Sequence, residues 1–270
     1  MTQQEREKEF LTIALHMLKN EKQPHNFCLD TPQENEKDKQ NANALINNIT
    51  DIPHAFVLGC VMDAMIKAEY AWMAPYKIFN ALLAEKIIKN CSINELEKVP
   101  LSKYVSLFED KSLKLRIRYI KKAAQRFYDA VQLIKCKYHF DASKIWSDKP
   151  SSCDVVERFR EFNGIGQKIS TMAVNILVRS FKVKLADKEA IDISVDRHVM
   201  RVMKRLGFVK CNSNEGILKK DIIGKARQMY SQYPGIFDRP CFDTGRCYCS
   251  DKTPRCKNCS LNKICKKVGV

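Results

Sequence analysis

Four cysteines near the end of the chain have the spacing of ligands to one metal centre. They are Cys249, Cys256, Cys259 and Cys265, in the pattern C-x6-C-x2-C-x5-C. Short intervals of this kind allow a single loop to wrap four thiolates around a cofactor. Structural zinc sites usually have two closely spaced cysteine pairs separated by a longer stretch, whereas only Cys256 and Cys259 form such a pair here. The spacing therefore favours an iron–sulfur cluster over zinc, with zinc as the alternative.

Residues 162–168, FNGIGQK, predict a tight turn between two helices. Gly164 and Gly166 permit positive φ angles and close backbone approach, and Ile165 between them can pack inward to hold the helices together. The first amides of the following helix have no intrahelical partners, so they face the space ahead of its N-terminus. Such a terminus binds anions, and a DNA phosphate is one of them. An ordinary helical corner that needs glycine for steric reasons is the alternative.

Lys168 and Asp196 have the side chains that nucleophilic or acid–base chemistry requires. Lys168 lies in the first turn of the predicted second helix, where the helix dipole disfavours an ammonium and partial burial would lower its pKa further. A neutral amine there could attack a sugar C1′ and form a Schiff base. Asp196, in the segment SVDRH, is first of all an N-cap, but a carboxylate held in this way could also stabilise a positively charged transition state. The alternatives are a phosphate-contacting or solvent-exposed lysine and a purely capping aspartate.

Helical periodicity dominates the rest of the chain, and convincing alternating strands are absent, so the sequence predicts an all-α fold. The stretch 21–50 is rich in Asn, Gln, Glu and Lys and predicts a loop or partly ordered connector. Ser92 and Glu95 predict a capping box at the start of a short helix. The other predicted helices cover 5–19, 54–69, 73–89, 101–109, 113–137, 154–162, 167–181, 197–206 and 215–232.

The composition indicates a polyanionic partner and a reducing compartment. The chain of 270 residues has 47 Lys and Arg against 31 Asp and Glu, a net charge of +16, and nucleic acid is the first candidate for a protein this basic. The 12 cysteines, without a signal-peptide pattern, favour metal-binding thiols over disulfides. No stretch is long and apolar enough to predict a membrane span. We therefore expect an intracellular protein, either cytoplasmic at a bacterial nucleoid or otherwise intracellular. We also expect a monomer.

Together these motifs resemble the endonuclease III branch of the helix-hairpin-helix DNA glycosylases. The resemblance is carried by residues 164–168, then the segment VDRH around Asp196, then the terminal cysteine run. It covers roughly residues 52–270 and is clearest over 155–265. It implies two helical lobes. Residues 1–50 would form an N-terminal helix and polar connector that pack with the C-terminal lobe, and residues 51–186 a six-helix barrel that ends in a helix-hairpin-helix at about 155–181. Residues 187–270 would form the C-terminal helical lobe, with a cluster loop at 249–265.

The resemblance also implies a function, base-excision repair of duplex DNA that contains a damaged base or an abasic site. Lys168 would be the Schiff-base lysine and Asp196 the catalytic aspartate, while the hairpin residues contact DNA. This arrangement implies a glycosylase with associated AP lyase activity, which nicks the strand by β-elimination. The cysteine run would hold a structural [4Fe–4S] cluster. The alternatives are a monofunctional glycosylase that uses water, a non-catalytic DNA-binding protein of the same fold, and a zinc-stabilised helical adaptor.

One departure from the family lies in the early buried helix. Where endonuclease III carries a glutamine that fills the gap left by the flipped base, this chain has Met65, in the stretch DAMIKA. Met65 is therefore predicted to contact DNA with different gap-filling chemistry. The oxidised-pyrimidine specificity of the family does not follow for this chain, and the base lesion stays open.

Overall fold

The computed structural model describes residues 1–21, 26–28, 31–64, 66–210 and 214–270, with the side chains of all of these except Ala68 and Glu69. Over these ranges the chain is helical without any β-strand, which confirms the predicted all-α fold. No helix there is both long and apolar enough to cross a membrane. The helices are α1 (Gln3–Lys19), α2 (Glu36–Asn47), α3 (Pro53–Asp63), α4 (Ala68–Ala71), α5 (Ala74–Ala84), α6 (Ile93–Leu96), α7 (Leu101–Glu109), α8 (Ile120–Tyr138), α9 (Ser152–Arg160), α10 (Gln167–Arg179), α11 (Arg197–Leu206), α12 (Glu215–Met229) and α13 (Asp238–Cys247).

Local sequence explains where several helices begin. Thr2 caps α1 and forms a capping box with Glu5, and Ser151 does the same for α9 with Asp154. The side chain of Asn214 accepts a hydrogen bond from the first turn of α12. These caps satisfy amides that have no partner inside their helices, so these helix starts follow directly from the residues that precede them.

Helix α3 is the central helix of the larger group of elements. Every residue from Pro53 to Met62 is buried, and α3 packs against α2, α5, α8 and α10. Its Gly59 lies so close to Trp72 that a Cβ would come within 2.5 Å of the indole ring. Because α8 and α10 both pack on α3, this helix positions the two helices that contact the glycine turn.

Helix α1 packs against a second group of elements, which are α12, α13 and the 3₁₀ turn Pro234–Phe237. Phe10 stacks on Phe237 at 5.1 Å between ring centroids. The buried Arg6 guanidinium donates to the carbonyl oxygens of Leu206 at 2.5 Å and Ile264 at 3.1 Å. The N-terminal helix is thereby bonded both to the end of α11 and to the cysteine loop. The domain boundaries derived from the sequence stay predictions.

Three segments differ from the sequence-based prediction. The connector 21–50 contains α2, which begins after an Asn35 cap, so its polar composition concealed a helix. The helix predicted over 54–69 ends at Asp63. The helix predicted over 113–137 begins only at Ile120, because Lys114 and Arg116 adopt left-handed φ angles of 50° and 54° that interrupt a helix.

Two further differences concern the starts of helices α6 and α13. Ser92 makes no side-chain cap, and Glu95 instead accepts a hydrogen bond from the Lys89 amide at 2.9 Å, so the predicted capping box is wrong. Helix α13 was not predicted from the sequence, since Pro240 argues against a helix. Pro240 lies in the first turn of α13, where proline is tolerated because those amides have no intrahelical acceptor.

Candidate active site and cysteine loop

The glycine turn joins α9 to α10 in the way that its sequence predicts. Gly164 has φ +95°, a backbone conformation that glycine adopts without strain. Ile165 is 5% exposed and packs inward, and its amide donates to the Phe162 carbonyl at 2.9 Å. Gly166 is the N-cap of α10 and has no atom within 4 Å of the place where a Cβ would stand. The turn is therefore closed on its inner side and open on its outer side.

The N-terminus of α10 presents free backbone amides. The Gly166 carbonyl accepts from Ile169 at 3.1 Å and from Ser170 at 3.0 Å, and no side chain caps the helix. The amides of Gln167 and Lys168 have no acceptor among the residues that the structure describes. Free amides at the positive end of a thirteen-residue helix make a site for an anion.

Side chains of α8 contact the glycine turn. The Arg126 guanidinium occupies the space where a Cβ on Gly164 would lie. Asn163 donates through Nδ2 to Asp129 Oδ2 at 3.0 Å, and Gln125 donates to the other oxygen of Asp129 at 2.7 Å. A cation and a set of hydrogen bonds from α8 thus hold the turn in place.

Lys168 is the second residue of α10 and is exposed to solvent. The exposure agrees with the solvent-exposed lysine that was the alternative at this position, and the partial burial expected for its amine is not present. The exposed position leaves the amine accessible to a large ligand that approaches the N-terminus of α10. Its place in the first helical turn agrees with the sequence-based prediction.

Asp196 caps α11 with one carboxylate oxygen. Oδ1 accepts from the amides of His198 and Val199, both at 2.8 Å. Within the described part of the chain, Oδ2 has no hydrogen-bond partner, and the residue is half-buried. One oxygen therefore fixes the carboxylate while the other stays available. The hydroxyl groups of Thr171 on α10 and Ser194 lie 3.4 Å apart, which links the segment before Asp196 to the helix of Lys168.

Asp238, the first residue of α13, connects the two candidate catalytic residues electrostatically. Burial raises the pKa of Asp238 to about 6, and the negative charge of Asp196 adds to the rise, whereas the positive charges of Arg179 and Lys168 oppose it. Lys168, Asp196 and Asp238 therefore share one neighbourhood, although they come from three different elements.

A buried polar group lies behind Asp238. Asn175 is fully buried and donates through Nδ2 to the Gly235 carbonyl at 2.8 Å, while its Oδ1 accepts a hydrogen bond from the Tyr233 hydroxyl. One turn further along α10, Arg179 is paired with Glu21 at 3.1 Å and is 8% exposed. These contacts satisfy buried polar atoms and fix α10 against the 3₁₀ turn before α13.

The four cysteines of the terminal run line one cavity. Arg205 of α11 donates to Cys249 Sγ at 3.2 Å and to the Ser250 carbonyl at 2.6 Å. Arg201 donates to the Cys249 carbonyl and, at 2.8 Å, to the Gly245 carbonyl. Helix α11 is therefore capped by Asp196 and carries, further along, the two arginines that hold the cysteine loop.

The donor set of this cavity fits a cluster cofactor. Four thiols face a common space, and arginine and backbone N–H donors lie against two of the sulfur atoms, as at Lys267 N to Cys265 Sγ, 3.4 Å. Over the described ranges, no group of three or more His, Cys, Asp or Glu side chains is placed to hold a single metal ion. Cys241, fully buried on α13, does not line this cavity.

The structure thus brings together most of the residues singled out from the sequence, and it adds three more. Gly164, Ile165, Gly166 and Lys168 lie at one helix start, while Met65 lies outside the described residues. Asp238 and Arg205 were not identified from the sequence, and Arg126 is there only one of several basic residues on the predicted helix 113–137, without a link to the glycine turn. Each acts across a long sequence separation, and none has a motif of its own, so no local signal could have found them.

Comparisons with known proteins identify the fold. No model of a known protein family matches the chain. The chain is 22% identical over 231 residues to endonuclease III of Buchnera aphidicola subsp. Schizaphis graminum (strain Sg), and the alignment covers 84% of this chain and 90% of that protein.

Solved structures give the same result. A trapped covalent intermediate of endonuclease III with DNA, an estranged-adenine complex, has a TM-score of 0.54, and a non-covalent endonuclease III–DNA complex has 0.56. Both are 18% identical to this chain and cover 99% of it, and the chain covers 97% of each. A thermostable thymine-DNA glycosylase matches with a TM-score of 0.56 at 12% identity, over 97% of this chain and 96% of that one. The chain therefore has the endonuclease III fold, as the sequence motifs predicted.

Proposed function

We propose that this protein is a base-excision repair DNA glycosylase with associated AP lyase activity. The proposal is carried by the arrangement around the α10 N-terminus. Free backbone amides, an exposed lysine and a carboxylate with one oxygen available for a ligand lie together there. The amides of Gln167 and Lys168 suit a DNA phosphate, and Lys168 and Asp196 suit chemistry on a sugar. The endonuclease III fold and the chain's net charge of +16 support DNA as the partner.

The proposed reaction takes place on a nucleotide flipped out of the duplex. The Lys168 amine attacks C1′ of the deoxyribose, the bond from C1′ to the base breaks, and the base leaves with the bonding electrons and takes up a proton. The carboxylate of Asp196, held by two amide hydrogen bonds, stabilises the positive charge that develops on the sugar. The amine then loses a proton, and the C1′–O4′ bond breaks with protonation of O4′, which opens the sugar and gives the Schiff base. Loss of a proton from C2′ expels the 3′-phosphate by β-elimination, which nicks the strand 3′ to the lesion.

We further propose that Cys249, Cys256, Cys259 and Cys265 hold a [4Fe–4S] cluster. When bound, the cluster supplies a four-point cross-link that fixes the terminal loop and takes no part in excision. Arg205 and Arg201 orient Cys249 from α11, and Arg6 bonds the residue before Cys265 to α1. Lys252, Arg255 and Lys257 on the same loop would then face phosphates from a rigid support.

A monofunctional glycosylase is a second candidate, and the exposure of Lys168 favours it. An exposed lysine at a helix N-terminus suits a phosphate contact. Water would then attack C1′ with help from Asp196, and the strand would stay intact.

Borohydride trapping separates these two functions. Wild type, Lys168→Gln and a control at another exposed lysine, Lys184→Gln, are incubated with duplexes that contain an abasic site, thymine glycol, 5-hydroxycytosine, uracil, hypoxanthine or 8-oxoguanine. We expect a covalent adduct with wild type and Lys184→Gln that is absent with Lys168→Gln, and the base lesions that trap identify the substrate.

The other outcomes of this experiment are equally informative. Base loss revealed only by alkali, without an adduct, supports the monofunctional glycosylase and contradicts the lyase. Neither adduct nor base loss on any duplex contradicts both. A brown protein that absorbs near ~410 nm supports the cluster, whereas a colourless protein with stoichiometric zinc contradicts it.

A further inference from the structure

Asp238 contacts the helix that carries Lys168 and faces the segment that precedes Asp196, and it has no part in the chemistry proposed above. Its Oδ2 is 3.4 Å from Nδ2 of Asn175, which lies two turns after Lys168 on α10. The backbone N–H of Ser194, two residues before Asp196, also faces this carboxyl group and opposes the rise in its pKa that burial causes. One carboxyl group therefore bridges the helix of Lys168 and the segment of Asp196.

We propose that Asp238 is a third residue of this active site, a positioning residue that holds these two segments together and places a second, titratable negative charge beside Asp196. The inference rests on the proposed function of the site. The chemistry proposed above requires only the lysine and the aspartate, so Asp238 would add a further charged group to the pocket.

The charges that act on Asp238 come from α10 and from the segment before α11. Helix α10 contributes Lys168 and Arg179, and the segment before α11 contributes Asp196. Cys241, on α13 itself, also faces Asp238. Burial raises the pKa of the Cys241 thiol well above its usual value, so this group stays neutral. Behind Asn175, burial raises the pKa of Tyr233 in the same way, and Glu21 is paired with Arg179. Asp238 itself, whose pKa burial raises to about 6, changes its charge near neutral pH.

This change of charge has a consequence for base excision. Burial raises the pKa of Asp238 to about 6. Below that pH the carboxyl is neutral, and Asp196 alone faces the positive charge that develops on the sugar. Above it, the ionised Asp238 adds a second negative charge, which stabilises the same transition state. The excision rate should therefore rise as the pH increases through about 6.

The first test uses the duplex of the panel above that the wild type excises fastest. Single-turnover rates are measured from about pH 5 to about pH 8.5 for wild type, Asp238→Asn and Asp243→Asn. Asp243→Asn is the matched control, because Asp243 lies on the same helix and is paired only with Arg239 among the residues described.

We expect Asp238→Asn to lose the rise near pH 6 and to be about tenfold slower at pH 8, with unchanged affinity for an abasic-site analogue. Asp243→Asn should follow the wild type. An Asp238→Asn profile that keeps the rise near pH 6, at whatever rate, overturns the titrating role and leaves a structural contact only.

A second test needs no turnover, and so it separates this inference from the proposed function. The ionised Asp238 destabilises the folded protein, because its pKa in the fold is above that of the unfolded chain. Asp238→Asn should therefore melt at a higher temperature than wild type at pH 7.5, and the difference should shrink toward about pH 4. It should also shrink in an Asp196→Asn background.

The combined outcomes of the two tests are distinguishable. A melting difference that is the same at every pH contradicts the inference, whether or not any lesion is excised. A pH-dependent difference without excision from any duplex contradicts the proposed function and leaves the coupling of Asp238 to Asp196 intact.

Discussion

Two helices begin at the candidate active site, and their N-termini are built in opposite ways. Helix α10 starts at Gly166, without any side-chain cap, and leaves the amides of Gln167 and Lys168 free. Helix α11 starts at Asp196, whose Oδ1 accepts from two amides at 2.8 Å. The positive end of α10 is open to an external anion, while that of α11 is already occupied by an internal one.

This difference teaches how one site can both bind and react. An open helix terminus costs stability until an anion fills it, and a DNA phosphate supplies that anion on binding. A capped terminus holds its carboxylate rigidly before any substrate arrives, which is what stabilisation of a developing positive charge requires. Binding thus takes place at the open terminus and chemistry beside the closed one.

A third N-terminus, that of α3, extends the comparison to basic residues. His54 is the second residue of α3, as Lys168 is the second residue of α10. Lys168 is exposed, whereas His54 is 4% exposed and bonds through Nε2 to the Cys91 carbonyl at 2.7 Å. The same helix position therefore holds an accessible amine in one place and a buried neutral imidazole in the other.

The largest effect is expected for Asp196→Asn. Asparagine caps helices about as well as aspartate, so we expect the melting temperature to change little. The negative charge is lost, and single-turnover excision should fall by about a hundredfold or more. Asp196→Ser, which also caps, is the control and should be equally slow. A fast Asp196→Asn enzyme would show that the residue acts only as a cap.

A large effect on stability is expected from the pH dependence of His54. Burial lowers the pKa of His54 from 6.5 to about 4. The unfolded chain binds a proton near pH 6.5, which the folded protein does not bind until about pH 4, so the free energy of unfolding should fall as the pH decreases between these values. The loss is at most about 3 kcal/mol.

Denaturant unfolding of wild type and His54→Asn at several pH values tests this. Asparagine can still donate to the Cys91 carbonyl but does not titrate. The variant should be less stable than the wild type at pH 7, and the difference should shrink as the pH falls, because only the wild type loses stability by protonation of the histidine. A wild-type minus variant difference that stays constant from about pH 7 to about pH 4 would contradict a buried neutral imidazole.

A smaller effect is expected for Gly164→Ala in the turn before α10. The φ of +95° is strained for alanine, and its Cβ would displace the Arg126 guanidinium. We expect a loss of about 1–3 kcal/mol in the free energy of unfolding, together with weaker binding to DNA. Thermal melting and fluorescence anisotropy measure the two effects. Arg126→Ala in combination should recover part of the stability, because the clash is then removed.

The smallest effect is expected for Gly166→Ala, the matched control two residues later. Gly166 has φ −96°, and no atom lies within 4 Å of a Cβ there, so the stability should stay within about 1 kcal/mol of wild type. The new methyl group stands beside the open amides, so affinity for duplex DNA should fall several-fold. Unchanged affinity would argue against a phosphate at the α10 N-terminus.

Much of the fold could be predicted from the sequence, because its signals are local. Amphipathic periodicity correctly identified α1, α7, α9, α10 and α11 within a few residues. The failures have physical causes: the polar α2 has a narrow apolar face, and left-handed residues at 114 and 116 break a continuous apolar pattern. Proline in the first turn concealed α13. At the site, the glycine turn and the Asp196 cap were predictable, since each depends on neighbours along the chain.

The sequence by itself determined which groups are present and which are held by near neighbours: the cysteine spacing, the open start of α10 and the cap of α11. The tertiary structure alone decided the surroundings of those groups. It left Lys168 in solvent, buried His54, and brought Asp238 next to Asp196 across a gap of more than forty residues. The reason is that pKa values and pocket charge depend on burial and on charges through space, and both are set by which distant segments pack together.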